Sequence, residues 1–139
     1  MARLRSAIAL AALLACTSLV TGNALAQDLL TLTGTQEVPP NTSVATGTAS
    51  IKIDADGNVS GTVSAPTLQA RTAHIHIGAP GMNGPIIISL SSGDPGTFTV
   101  PEGAKLTPDQ MTAYKAGNLY VNVHTAEHPG GEIRAQLKP

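Results

Sequence analysis

The chain has 139 residues with eight Lys+Arg against nine Asp+Glu, a formal net charge of −1, two Tyr, one Phe, no Trp and a single Cys. A near-neutral chain without a basic stripe or an aromatic platform is not built to hold nucleic acid. Its length allows one domain with a core of its own and little to spare.

The N-terminus reads as a leader. Arg3 and Arg5 make a short positive region, Ile8 to Val20 is an apolar run, and Ala24-Leu25-Ala26 supplies a small-x-small cleavage pattern. Residues 1–26 are therefore expected to be a signal peptide and residues 27–139 an exported chain, periplasmic or secreted. The apolar run is short for a membrane span, so none is expected after leader removal. Cys16 after Leu13-Leu14-Ala15 offers a competing lipoprotein site, but Leu14 is out of place in such a box. Without Arg3 and Arg5 the eight basic residues become six against nine acidic ones, a formal charge of −3. No cysteine remains either. That excludes a disulfide framework and a thiolate metal site.

Beyond the leader, short β-type segments alternate with turn signals, the pattern of a sandwich or barrel. Leu29 to Thr33 is a first strand, followed by a loop over Gln36 to Asn41. Thr48 to Asp54 and Val59 to Ser64 flank the turn Asp54-Ala55-Asp56-Gly57-Asn58 and should pair as a hairpin. Thr72 to Ile77 is a strand, residues 78–85 a Gly/Pro loop, and Ile86 to Leu90 is expected to be a buried strand. Phe98 to Val100 follows the turn Gly93-Asp94-Pro95-Gly96. Thr107-Pro108-Asp109-Gln110 marks a helix start, with Thr as cap, Pro at the first position and Gln three after the cap. Gly117 should end that helix. Leu119 to His124 and Glu132 to Leu137 are the last strands, joined by residues 125–131.

Strand parity organises the polar residues. Side chains two apart share a face, so His74 and His76 point one way and Ile75 and Ile77 the other. Leu119, Val121 and Val123 oppose Tyr120, Asn122 and His124; Ile133, Ala135 and Leu137 oppose Glu132, Arg134 and Gln136. The apolar faces are the core faces. The histidines then lie on the outer face of the sheet with Tyr120, Asn122, Glu132, Arg134 and Gln136. The four histidines fall in two tight groups. Three imidazoles with an open position suit copper or zinc. The candidate metal ligands are His74, His76, His124 and, from the loop, His128; Met82 is a more remote soft donor. Glu132 is a candidate acceptor for an imidazole N–H, or a plain i, i+2 ion-pair partner of Arg134. No Ser-His-Asp or Cys-His arrangement and no suitably spaced carboxylate pair is legible, so hydrolase chemistry is unsupported.

Leu32 to Pro40 (LTGTQEVPP), Ala73 to Pro85 (AHIHIGAPGMNGP), Tyr120 to Thr125 (YVNVHT) and Pro129 to Leu137 (PGGEIRAQL) together resemble the CHRD domain. That family is named after chordin, an extracellular antagonist of signalling ligands, and has small exported bacterial members. The resemblance spans residues 27–139 and implies an extracytoplasmic all-β domain. The expected architecture is a Greek-key-like antiparallel β-sandwich with one short helix. A looser similarity links His74, His76 and His124 to the copper ligands of copper/zinc superoxide dismutases, which pair an HxH strand with a late-strand histidine. The zinc loop and cysteine pair of those enzymes are missing here, and Arg134 and Arg71 are only nominal counterparts of their guiding arginine. The leading expectation is an exported metal-binding protein, favoured over an enzyme. The alternatives are a metal-free extracytoplasmic protein-interaction module and a dismutase-like copper redox enzyme.

Overall fold

A computed structural model of the chain describes residues 28–139; the expected leader with its cleavage pattern, and Cys16, lie outside them. Nine strands run in chain order: β1 Leu30–Thr33, β2 Thr46–Ile53, β3 Val59–Ser64, β4 Thr72–Ile77, β5 Ile86–Ser89, β6 Ser91–Ser92, β7 Thr97–Thr99, β8 Leu119–His124 and β9 Ile133–Gln136, with helix α1 Pro108–Lys115 between β7 and β8. They form one antiparallel sheet in the order β5-β4-β8-β9-β1-β2-β3-β7-β6. The edge strands β5 and β6 are separated in the chain by Leu90 alone, so the sheet wraps until its two edges meet. The Leu90 N–H donates to the Ala73 carbonyl at 3.0 Å at that corner. The opposite corner lies between β1 and β9, which share the single pair Thr33↔Arg134. The result is a nearly closed two-layer β fold.

Local chemistry explains the elements. The β2–β3 hairpin is set by Asp54, whose Oδ1 accepts from the N–H groups of Asp56 and Asn58 at 2.9 Å each. Gly57 takes the left-handed conformation (φ 86°) that closes the turn. At α1, Thr107 and Gln110 form the expected reciprocal capping box. Core side chains come from both layers: Ile75, Val121, Val123, Ile133 and Ala135 from one, Leu32, Ala49, Val63 and Phe98 from the other. At about 25 cal/mol per Å² each of the Val, Leu, Ile and Phe side chains among them contributes about 1.5–3 kcal/mol.

Two expectations change. Ile86 to Leu90 is an edge, not a buried strand: only Ile88 and Leu90 are buried and Ile86 is half exposed, because β5 has a single neighbour and the register shifts beside Ile75 and His76. The outer face carrying the histidines is also not an open surface. Tyr120 and Asn122 are 2 % exposed, Arg134 1 % and His76 7 %. The polar loops fold over this face and make it a second, hydrogen-bonded interior.

Candidate metal centre

The β4–β8–β9 register places the polar side chains in rows across the sheet. His74 lies opposite Asn122, His76 opposite Tyr120 and Thr72 opposite His124; Asn122 is next to Arg134 and Tyr120 next to Gln136. The three segments covering these rows are held by the rows themselves. Glu132 accepts from the Ser43 hydroxyl at 2.7 Å and the Thr125 hydroxyl at 2.6 Å, joining the loop after β1 to the loop after β8. Asn41 adds a bond from Nδ2 to the Glu132 carbonyl at 3.0 Å. Arg134 donates to the carbonyls of Met82 (2.9 Å) and Ala79 (3.3 Å), and Gln136 donates to that of Gly78 (2.8 Å). These bonds pin the β4–β5 loop over the sheet.

Arg134 and Glu132 therefore do something other than the sequence suggested. Glu132 receives hydroxyl donors rather than an imidazole N–H, and its partners do not include Arg134. Burial opposes the Glu132 charge, but the Thr125 and Ser43 hydroxyls and the nearby His128 hold the carboxyl below its usual range. Arg134 is committed to loop carbonyls and stacks on the Tyr120 ring, its guanidinium carbon 3.4 Å from the ring centroid.

His74, His76 and His124 come together: ligand-capable atoms from the three lie within 4.8 Å of one another. His74 Nδ1 is 3.0 Å from His124 Nε2. The outward nitrogens are fixed by backbone. His76 Nδ1 faces the Gly84 carbonyl at 2.9 Å and His124 Nδ1 faces the Pro129 carbonyl at 3.0 Å. A carbonyl only accepts, so both Nδ1 atoms carry the proton and both Nε2 atoms present lone pairs. The His76 ring is held further by stacking on Tyr120, with centroids 4.7 Å apart and planes 5° from parallel. His76 Nε2 is buried and makes no hydrogen bond of good geometry, although the Asn122 amide lies close enough to favour its protonated form. An orphaned lone pair beside two other imidazoles is an expensive arrangement unless a donor or a cation completes it, and two neighbouring lone pairs favour the cation.

Electrostatics favour the neutral, metal-ready rings. Burial and then the neighbouring His124 and His76 push His74 down to about 4. Burial lowers His76 and His124 as well, against the opposing pull of the Gly84 and Pro129 carbonyls respectively. No proton competes for the cluster near neutrality. Two nitrogens bound at 2.0–2.1 Å in a tetrahedral site sit about 3.3 Å apart, so small ring rotations bring this set onto one ion.

The other sequence candidates lie apart. His128 is not among the imidazoles that converge; its backbone N–H donates to Thr125 Oγ1 at 3.1 Å and its carbonyl accepts from the Gly131 N–H at 3.0 Å. Its ring lines a surface groove with Glu37, Asn83 and Pro129. Met82 is 60 % exposed at the tip of the β4–β5 loop. Sequence reading gave no role to Glu37, which is 4 % exposed with Oε1 unpartnered. Burial pushes its carboxyl up to about 7, against the opposing Arg134, Asn122, Val38 N–H and His128. Its only sequence signal was a lone acid beside Val38-Pro39-Pro40.

Fold and site together define a small β domain with a sheltered polar face and a convergent histidine triad. The family model for the CHRD domain matches residues 30–137. The chain belongs to the CHRD family, an extracellular-type domain. No similar curated protein and no similar solved structure was found. Among the described residues no helix is long and apolar enough to cross a membrane.

Proposed function

We propose that this CHRD protein is exported after loss of residues 1–26 to the periplasm or the exterior, where residues 27–139 bind one metal ion through His74, His76 and His124. Imidazoles suit copper and zinc alike; copper is the favoured ion because His74, His76 and His124 are similar in type and order to the copper ligands of the dismutases, and zinc is the alternative. The single observation that carries the reading is His76 Nε2, buried and unpartnered beside two further imidazoles. His128 stays outside the proposed ligand set. The role that follows is metal handling or a metal-stabilised binding surface.

Dismutase-type catalysis has less support. Arg134 comes from β9 and His76 from β4, on opposite sides of β8, so the Tyr120 ring stands between the guanidinium and the cluster. An arginine bound to three loop oxygens is not free to guide an anion to the ion. The metal-free interaction module draws on the exposed Met82 and Ile86 around the β4–β5 turn. It predicts partner binding that survives exhaustive chelation.

The test is competition titration of the purified protein with Cu(II) and Zn(II) against a chelator of known affinity. One tight equivalent is expected, weakened at least tenfold in both His74→Ala and His124→Ala, which is about 1.4 kcal/mol or more. Equal uptake by the wild type and both variants would remove the site.

A further inference from the structure

Asn122 stands at the centre of the triad. It faces His74 directly across β4–β8, lies diagonal to His76, and precedes His124 by two residues on the same face. Its side chain therefore rises among the three rings. Asn122 Oδ1 is 2.9 Å from His124 Nε2. That nitrogen is a lone pair, because the Pro129 carbonyl takes the proton on Nδ1. Two acceptors facing each other at hydrogen-bond distance repel unless something positive lies against both. The His74 Nδ1–H can serve the imidazole but leaves the amide oxygen without a donor.

The amide is held in this sense from behind. An added Cβ at Gly131 would meet Glu37 Oε1 at 2.5 Å and Asn122 Nδ2 at 2.7 Å, so the amide nitrogen and the buried carboxyl converge over that glycine. Gly131 itself has φ +127°. Turning the amide over would aim its oxygen at the Glu37 carboxyl, which in its ionised form is another acceptor. Glu37 thus keeps the nitrogen on its own side and the oxygen toward the histidines.

We propose that Asn122 is the fourth donor of the three-histidine site, through its carboxamide oxygen, and that this oxygen makes the site favour Cu(II) over Cu(I). The inference rests on the histidine reading above. A carbonyl oxygen is a hard donor and adds more to the divalent ion, whereas Cu(I) is well served by three imidazoles and gains little from it. Glu37 acts through Asn122 and is a positioning residue.

The experiment measures Cu(II) and Cu(I) affinities separately, by competition with chelators specific for each, in the wild type, Asn122→Ala, Asn122→Leu and Asn122→Asp. Leu fills the same volume without an oxygen and decides the matter if the Ala variant does not fold. Ala and Leu are expected to lower Cu(II) affinity about tenfold or more while Cu(I) affinity stays within about twofold. Each tenfold difference raises the reduction potential by about 59 mV. Asp retains the oxygen and should restore Cu(II) binding. A merely structural role would weaken both oxidation states by the same factor, and that result, or no change in either, overturns the assignment. If the wild type binds one equivalent and Asn122→Leu is indistinguishable from it, only the Asn122 inference fails. A wild type that binds no copper removes the histidine reading with it.

Discussion

Glu132 is the clasp of the covered face, and Glu132→Gln should show it. The wild-type carboxylate accepts two short bonds, from Thr125 at 2.6 Å and Ser43 at 2.7 Å, in a side chain that is 7 % exposed. Hydrogen bonds to charged groups contribute about 1.5–3 kcal/mol and neutral ones about 0.5–1.5. Gln keeps the shape but only its oxygen accepts; its Nε2 must donate, so one of the two hydroxyl bonds has to reverse and both become neutral, for a loss of about 2 kcal/mol. In a domain of this size that lowers Tm by roughly 6–12 °C. The sign of the pH dependence follows from the carboxyl, whose folded pKa is held below 4.5. Its contribution is fully present above the unfolded value of 4.5 and is lost as pH falls through the folded value. Thermal melts at pH 7 and pH 3 should therefore show a large gap between wild type and variant at the higher pH and a smaller one at the lower. The same substitution loosens the segment that offers the Pro129 carbonyl to His124, so metal affinity should fall as well. A gap below 1 °C at pH 7, or one unchanged at pH 3, refutes the reasoning.

Three further outcomes follow. Glu37 has the opposite sign: with its carboxyl raised to about 7, it favours the fold below pH 4.5 and that advantage is lost as pH rises through 7. Glu37→Gln should therefore raise Tm at pH 8 and change it little near pH 4; an equal loss at both pH values would contradict the burial argument. Gly131→Ala must accommodate a Cβ against Glu37 and Asn122 at φ +127°, and chemical denaturation should show a loss of more than about 2 kcal/mol. Because His74 titrates at about 4 and burial also lowers His76 and His124, metal affinity should be nearly flat from pH 7.5 to pH 6.5 and decline in more acidic solution. A steep fall centred on 6.5 in competition titrations would mark ordinary surface histidines.

Much of this arrangement was legible in the residues. Alternation in Thr72–Ile77 and Leu119–His124 put His74, His76 and His124 on one face, and the structure adds that β4 and β8 are neighbours in a register that brings them together. Parity states which way a side chain points but not what lies above it. The cover consists of Pro-, Gly- and Asn-rich loops with no apolar signal, held by side chain to backbone bonds that join residues about 50 to 90 positions apart. For that reason Tyr120, Asn122 and Arg134 looked like surface residues and are buried. Glu37 carries no sequence signal as a buried acid because the residues it lies against, Asn122 and Gly131, come from the far end of the chain. His128 shows the reverse: proximity to His124 in sequence makes it a ligand candidate, while it stands outside the three imidazoles that converge. The edge strand Ile86–Ser89 was misread because an Ile run looks the same on an edge as in a core.

The most direct test of the central claim is pulsed EPR on the protein loaded with one equivalent of Cu(II), counting the imidazoles that couple to the unpaired electron. Three coupled imidazoles, reduced to two in His74→Ala, are the predicted result. A signal from fewer than two imidazoles, or one that His74→Ala leaves unchanged, would contradict the site and leave the triad as a polar cluster.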